Sequence, residues 1–192
     1  TRANPRQTGP GANYNRQPGS QIMFQVIAEK PVDGPEIEKL LDQSFGPNRL
    51  ERAAYCLRGD KPPIPELCFV LRGAIFLCAT IRYWPVVIEG SHPALLLGPL
   101  AVGQAWRGRG LGKILINHSL ARARALGHGA VLVIGDPAYY QPFGFTTELV
   151  ENLTLSKSVD SCRFQGLELQ PGALRGRSGL VENKCDHRRE GG

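Results

Sequence analysis

The stretch LLLGPLAVGQAWRGRGLG, residues 95–112, decides how the chain is read. Residues 95–102 are apolar and suit a strand. After a short turn come Arg107-Gly108-Arg109-Gly110-Leu111-Gly112, and from Lys113 onward the pattern becomes helical. Glycines at 108, 110 and 112 let backbone amides approach a ligand with no Cβ in the way. The first turn of a helix leaves N–H groups without intrahelical partners, and together with the positive end of the helix dipole they favour a phosphate or pyrophosphate.

Two common phosphate loops do not fit. A dinucleotide fold requires G-x-G-x-x-G with an acidic residue about 20 positions further on, whereas the glycines here follow G-x-G-x-G. A P-loop requires G-x-x-x-x-G-K-[ST]. Gly112-Lys113 is present, but Arg107 stands at the first glycine and Ile114 at the hydroxyl.

Length and composition narrow the class. A chain of 192 residues with 42% hydrophobic content suits one domain with a substantial core. No apolar run reaches the roughly 18 residues of a membrane span, and the first residues lack the charged-then-apolar layout of a signal sequence, so a cytoplasmic protein with no membrane partner is expected. Five scattered cysteines without C-x-x-C pairs read as free thiols, and no His or Cys stands at metal-ligand spacing, so no metal is expected. Of the net charge of +6, Arg2, Arg6 and Arg16 supply half within residues 1–20, which hold no acid. No basic run is interleaved with aromatics, which argues against a nucleic-acid partner.

In chain order, residues 1–20 are rich in Gly, Pro, Asn and Gln and are expected to be disordered, leaving one domain over 21–183 and a flexible end over 184–192. Met23 is the chain's single methionine, and strand-like sequence begins there. A strand over 23–28 leads through Asp33-Gly34-Pro35 into a helix with Ile37, Leu40, Leu41 and Phe45 on one face, stopped by Gly46-Pro47. A second helix, 48–57, carries Leu50, Ala53, Ala54 and Leu57. Strands at 67–71 and 74–83 flank Arg72-Gly73, a hairpin signal, and residues 89–93 turn the chain into the strand at 95–102. Ile114, Leu115, Leu120, Ala121, Ala125 and Leu126 mark the apolar face of a helix closed by Gly127, and AVLVI at 130–134 suits a central strand. Two closing strands are expected near 149–155 and 163–169, then a loop over 171–179.

Next to the central strand stands GDPAYYQPFGF, residues 135–145. With Tyr140, Gly144 and Phe145 it carries the pattern Y-x-x-x-G-F, while Arg107, Gly110 and Gly112 carry [QR]-x-x-G-x-[GA]. Two motifs in this order, one helix and one strand apart, resemble the GNAT superfamily of N-acetyltransferases. The wording LLLGPLAV, GDPAYYQPFGF and FQGLELQPGAL is similar to a bacterial branch of small acetyltransferases, over residues 23 to about 181. The resemblance implies an α/β fold, the acyl-CoA N-acyltransferase fold, whose mixed sheet splays between its fourth and fifth strands and is flanked by helices.

The resemblance also implies acetyl-CoA as co-substrate. Its pantetheine arm would lie in the splay beside the backbone of Leu100, Ala101 and Val102. The amides of Arg107, Gly108, Arg109, Gly110, Leu111, Gly112 and Lys113 would hold the pyrophosphate, and Arg107, Arg109 and Lys113 would add charge. Tyr140 matches the general acid, since a phenol with a pKa of about 10 keeps its proton at neutral pH and can give it to the leaving thiolate. Tyr139 is expected to point elsewhere and pack.

The strand 95–102 holds no acid. Glu89 and His92, in the preceding loop, are therefore the candidates for general base, and Asp136 is either a wall of the cleft or a helix cap. The expected function is direct transfer of an acetyl group to an amine whose identity the sequence leaves open. Alternatives are an acyltransferase that takes a longer acyl-CoA or an acyl carrier protein, and a non-catalytic acyl-CoA sensor. A homodimer is common in such folds, although no residue here argues for one.

Overall fold

The computed structural model describes residues 23–73 and 75–183. The expected tail at 1–20 and the expected end at 184–192 lie outside the described residues. The chain opens with β1 (Phe24–Ala28), two helices, α1 (Gly34–Phe45) and α2 (Ala53–Arg58), and a meander of β2 (Phe69–Gly73), β3 (Phe76–Ile88) and β4 (His92–Val102). Helix α3 (Leu111–Ala125) leads to β5 (Ala130–Ile134) and the single turn α4 (Pro137–Tyr140). Three short strands follow, β6 (Leu153–Leu155), β7 (Phe164–Glu168) and β8 (Gly179–Asn183). The sheet runs β1-β2-β3-β4-β5-β7, with β8 beside β3 and β6 beside β8. β4–β5 and β6–β8 pair in parallel and the other neighbours antiparallel, so the sheet is mixed.

Alternation along the strands sorts the core into two faces. Ile81, Tyr83, Leu95, Leu97, Val131 and Val133 pack beneath α3 with Leu111, Leu115 and Ile116. On the opposite face Trp84, Val86, Leu96 and Leu132 meet Leu57 of α2 together with Phe164 and Leu174. Ile37, Leu40 and Leu41 of α1 pack on Val70 and Ala101, each fully buried side chain contributing about 1.5–3 kcal/mol.

Several boundaries differ from the sequence reading for local reasons. α2 begins at Ala53, after a 3-10 turn at Pro47–Glu51 that leaves Leu50 exposed. α3 begins at Leu111, so its buried face is Leu111, Leu115, Ile116, Leu120 and Ala123, and Ile114 and Leu126 turn outward. β2 runs through Gly73, so Arg72 and Gly73 are paired strand residues rather than the turn. β8 is an added strand, completing the edge of β3 at residues 86–88.

Two irregularities open the sheet. β5 pairs with β4 only at Leu95, Leu96 and Leu97, although β4 continues to Val102. Immediately beyond, Ile81 pairs with Leu100 but Tyr83 pairs with Leu97, so Gly98 and Pro99 together stand opposite the single residue Arg82. This is a β-bulge, a device that bends a strand and strengthens its twist. It lies where the two strands part.

Candidate active site

The register fixes which backbone groups face the opening. Gly103 donates its N–H to the Cys78 carbonyl at 2.9 Å, and Val102, Ala101 and Leu100 lie opposite Ala79, Thr80 and Ile81. Antiparallel pairs alternate between hydrogen-bonded and open, so the peptide groups of Ala101 point to β3 while those of Leu100 and Val102 point into the gap that β5 has left. Arg107 Nε donates to the Val102 carbonyl at 3.3 Å, tying the loop to the end of the strand.

The gap is a cavity of about 610 Å³. Its floor is Leu100, Ala101 and Val102, and one end is the glycine turn with Arg107, Gly108, Gly110, Leu111, Gly112 and Lys113. Ser44 and Phe45 from the end of α1 form one side, and Tyr139 and Tyr140 the other. Gly108 and Gly110 both have φ +76°, the left-handed region that glycine adopts without strain. Gly110 caps α3, and the first intrahelical bond runs from Ile114 N–H to the Gly110 carbonyl, which leaves the amides of Leu111, Gly112 and Lys113 free. Arg109 stacks on Trp106, its guanidinium carbon 5.4 Å from the ring centre.

The tyrosine pair is positioned from below. Gly144 has φ +93°, and this turn brings the buried Phe145 edge-on to the Tyr140 ring at 5.7 Å. A Cβ at Gly135 would overlap the Tyr140 ring, so glycine is what lets the phenol lie flat on the end of β5. Burial, with Tyr139 adding to it, pushes the Tyr140 phenol well above its ordinary pKa, and the group is protonated throughout the neutral range. Tyr139 packs edge-on to Tyr140 at 5.1 Å, but it also lines the cavity. A Cβ at Gly112 would overlap its hydroxyl, so the third glycine of the loop makes room for a tyrosine from the second motif.

The structure does not bring the two candidate bases to this opening. Glu89 and His92 sit at the hairpin that joins β3 to β4, and His92 pairs with Ile88 while Leu100 pairs with Ile81. The eight residue steps of strand from His92 to Leu100 span about 26 Å. There the N–H of Glu89 bonds the Leu180 carbonyl, and His92 Nε2 lies 2.6 Å from Arg177 Nη1. Asp136 is the cap of α4, its carboxylate accepting the Ala138 N–H at 3.0 Å. Asp33 stands at the N-cap position of α1 but makes no side-chain capping bond there; its carboxylate accepts from Lys30 N–H and from Arg72, each at 2.7 Å. Among the described residues, no carboxylate or imidazole lines the cavity and no group of three or more His, Cys, Asp and Glu stands together as a metal site. No helix among them is long and apolar enough to cross a membrane.

Comparison with known proteins agrees with this geometry. Residues 36–145 match the model of the acetyltransferase (GNAT) family. The uncharacterised N-acetyltransferase YhbS of Escherichia coli K12 is 30% identical over 164 residues, covering 82% of this chain and 94% of its own length. The crystal structure of Escherichia coli YhbS in complex with CoA has a TM-score of 0.74 and 28% identity, covering 93% of each chain. A GNAT acetyltransferase of Brucella melitensis in complex with acetyl-CoA has a TM-score of 0.64 and 26% identity, covering 84% of this chain and 96% of the other. A chain with both motifs, a sheet that parts after three parallel pairs and relatives of this kind belongs to the GNAT family of N-acetyltransferases.

Proposed function

We propose that the gap between β4 and β5 binds acetyl-CoA and that the acetyl group passes directly from its thioester to an amine, with Tyr140 as general acid. The observation that carries this reading is the ending of the β4–β5 ladder at Leu97, which leaves the peptide groups of Leu100 and Val102 facing a cavity that ends at the amides of α3. An extended pantetheine arm would take the place of the absent strand. Its pyrophosphate would meet the amides of residues 110–113 and the charges of Arg107 and Lys113.

Attack by the amine on the thioester carbonyl forms the C–N bond and a tetrahedral oxyanion. Pro99 has no N–H, so Leu100 supplies the first free amide beyond the bulge, and it is the donor assigned to that oxyanion. Collapse breaks the C–S bond; Tyr140 gives its proton to the leaving thiolate, and the proton shed by the attacking nitrogen passes through water to the Tyr140 phenolate and restores it. With no acid or imidazole among the described residues lining the cavity, the acceptor enters as the free amine, its proton having gone to water.

A cytoplasmic enzyme of bacterial origin is part of this reading, supported by the bacterial relatives. So is a homodimer, which sedimentation tests. Calorimetry with acetyl-CoA, desulfo-CoA and pantetheine, beside a thiol-release assay over an amine panel, tests the whole. Affinity that falls without the pyrophosphate, and turnover that falls in Tyr140→Phe, support it. Tight binding without turnover of any amine indicates an acyl-CoA sensor, and absence of binding removes the reading.

A further inference from the structure

On the face of the sheet opposite α3, next to the bulge, lies a second cavity of about 340 Å³. Its walls include Tyr55, Arg58, Arg82, Trp84 and Pro99. Pro99 borders this cavity and Leu100 the first, so the two chambers adjoin across the bulge. Arg82 and Arg49, on its rim, are neutralised: Arg82 pairs with Glu29 at 2.7 Å and Glu38 at 3.1 Å, and Arg49 with Glu38 at 2.5 Å and Asp42 at 2.7 Å.

Arg58 is different. It is only 5% exposed, at the end of α2, with its guanidinium carbon 3.8 Å from the Tyr55 ring centre and 4.4 Å from that of Trp84. No carboxylate among the described residues pairs with it, and its buried Nε has no hydrogen-bond partner. Its Nη2 lies 3.5 Å from where a Cβ would stand on Gly98, the first residue beyond the β4–β5 ladder. A buried cation is costly to leave without a counter-charge. Burial pushes its pKa down to about 10, still leaving it charged at neutral pH.

We propose that Arg58 receives the carboxylate of the acceptor, so that the amine to be acetylated belongs to a free amino acid. This rests on the reading of the first cavity as the acetyl-CoA site. Three observations converge: a guanidinium held between two rings without an acid, a chamber of small-molecule size beside it, and its position at the fork of the strands. The planar guanidinium offers parallel N–H donors that match a carboxylate. From Gly98 to the Leu100 amide is at most about 7 Å, two residues of extended chain. An α-amino group bonded to the carbon next to the carboxylate falls within that interval. A carboxylate seated on Arg58 thus leaves the nitrogen lone pair at the thioester carbonyl near Leu100, while the thiolate leaves toward Tyr140.

The test is thiol release from acetyl-CoA with amino acids, each beside its carboxamide and its decarboxylated amine. In the wild type the carboxylate-bearing member of a pair is expected to show kcat/KM about 10²-fold or more above its partners, the scale of a buried charge-assisted contact. Arg58→Met should erase that preference by raising KM for the amino acid, with the dissociation constant for acetyl-CoA unchanged. Arg58→Lys keeps the charge but loses the fork and the stacking, and should fall between them; it also serves if Arg58→Met does not fold. Equal turnover within pairs, or loss of turnover in Arg58→Lys that is the same for acids and amides, overturns the proposal while acetyl-CoA binding persists. Retained acetyl-CoA binding with no amino acid turned over also overturns it. Absence of acetyl-CoA binding in the wild type defeats the underlying reading, and this one with it.

Discussion

Residues 107–113 shape their end of the cleft with backbone: left-handed glycines, a helix start and amides aimed at one point. Across the bulge, the chamber beside Gly98 and Pro99 is shaped by side chains that arrive from α1, α2 and β3, with Tyr55 and Arg58 supplied by α2 and Arg82 and Trp84 by β3. The first region is contiguous in sequence and the second is assembled from segments spread between Glu38 and Pro99. A backbone site tolerates changes of side chain and needs its conformation, whereas a side-chain site depends on each residue and leaves the backbone conventional. A transferase that meets one constant co-substrate and one particular acceptor is suited by that division.

The largest effect should come from the chemistry between the two regions. Tyr140→Phe removes a proton donor and is expected to lower kcat by about 10² to 10⁴ while leaving acetyl-CoA affinity unchanged, read by turnover beside calorimetry. A fall in both together would make Tyr140 a packing residue. Next, Arg107→Ala and Lys113→Ala should each weaken acetyl-CoA binding by roughly tenfold or less, because the amides remain and an exposed ion contact contributes about 1 kcal/mol. A hundredfold loss from either would break the contrast, showing that side chains rather than backbone hold the phosphates.

The pH profile sharpens the comparison further. Tyr140 is pushed up by burial, so its proton is retained and no alkaline decline from this group is expected below about pH 10. With the amine losing its proton to water, kcat/KM should rise with pH up to the pKa of the acceptor amine and shift when the acceptor is changed. A rising limb fixed for every acceptor would reveal a base on the protein. The smallest effect lies outside both regions. Burial opposes the ionised form of Glu168, but the N–H groups of Arg175, Leu174 and Gly172 outweigh it and hold the carboxyl below its usual range. Because the folded-state pKa is the lower one, the stabilisation is present above about pH 4.3, the unfolded value, and is lost as pH falls through the folded value. Glu168→Gln should cost roughly 1 kcal/mol at pH 7 by denaturant melting and progressively less in acid, with turnover untouched.

What was legible in the sequence follows the same division. The glycine turn and Y-x-x-x-G-F announce themselves because neighbours along the chain remain neighbours in space: Gly110 caps the helix that follows it and Gly144 turns Phe145 under Tyr140. Tyr139 was harder, since its place over Gly112 joins two motifs across the cleft. Glu89 and His92 misled because a loop that enters β4 is close to it in sequence, yet β4 is eleven residues long and the gap opens at its other end. Arg58 gave no signal at all. It ends a short helix, as arginines commonly do, and only burial between Tyr55 and Trp84 separates it from an exposed one. β8 escaped because five residues that begin with glycine and end with asparagine hold too little alternation to stand out.

The three pairs between β4 and β5 also bear on how the molecule comes together. β2, β3 and β4 form a meander of hairpins whose contacts close over short spans of chain, whereas β5 must return to β4 across the whole of α3, as β1 must reach β2 across α1 and α2. Nearby contacts form before distant ones that must first close a long loop. The meander is therefore an early-folding unit, and β5 with β7 docks late along a seam three residues wide. That seam is narrow, so whatever fills the gap beside it acts as a stitch between the two pieces and bears on the rate of opening as well as the equilibrium.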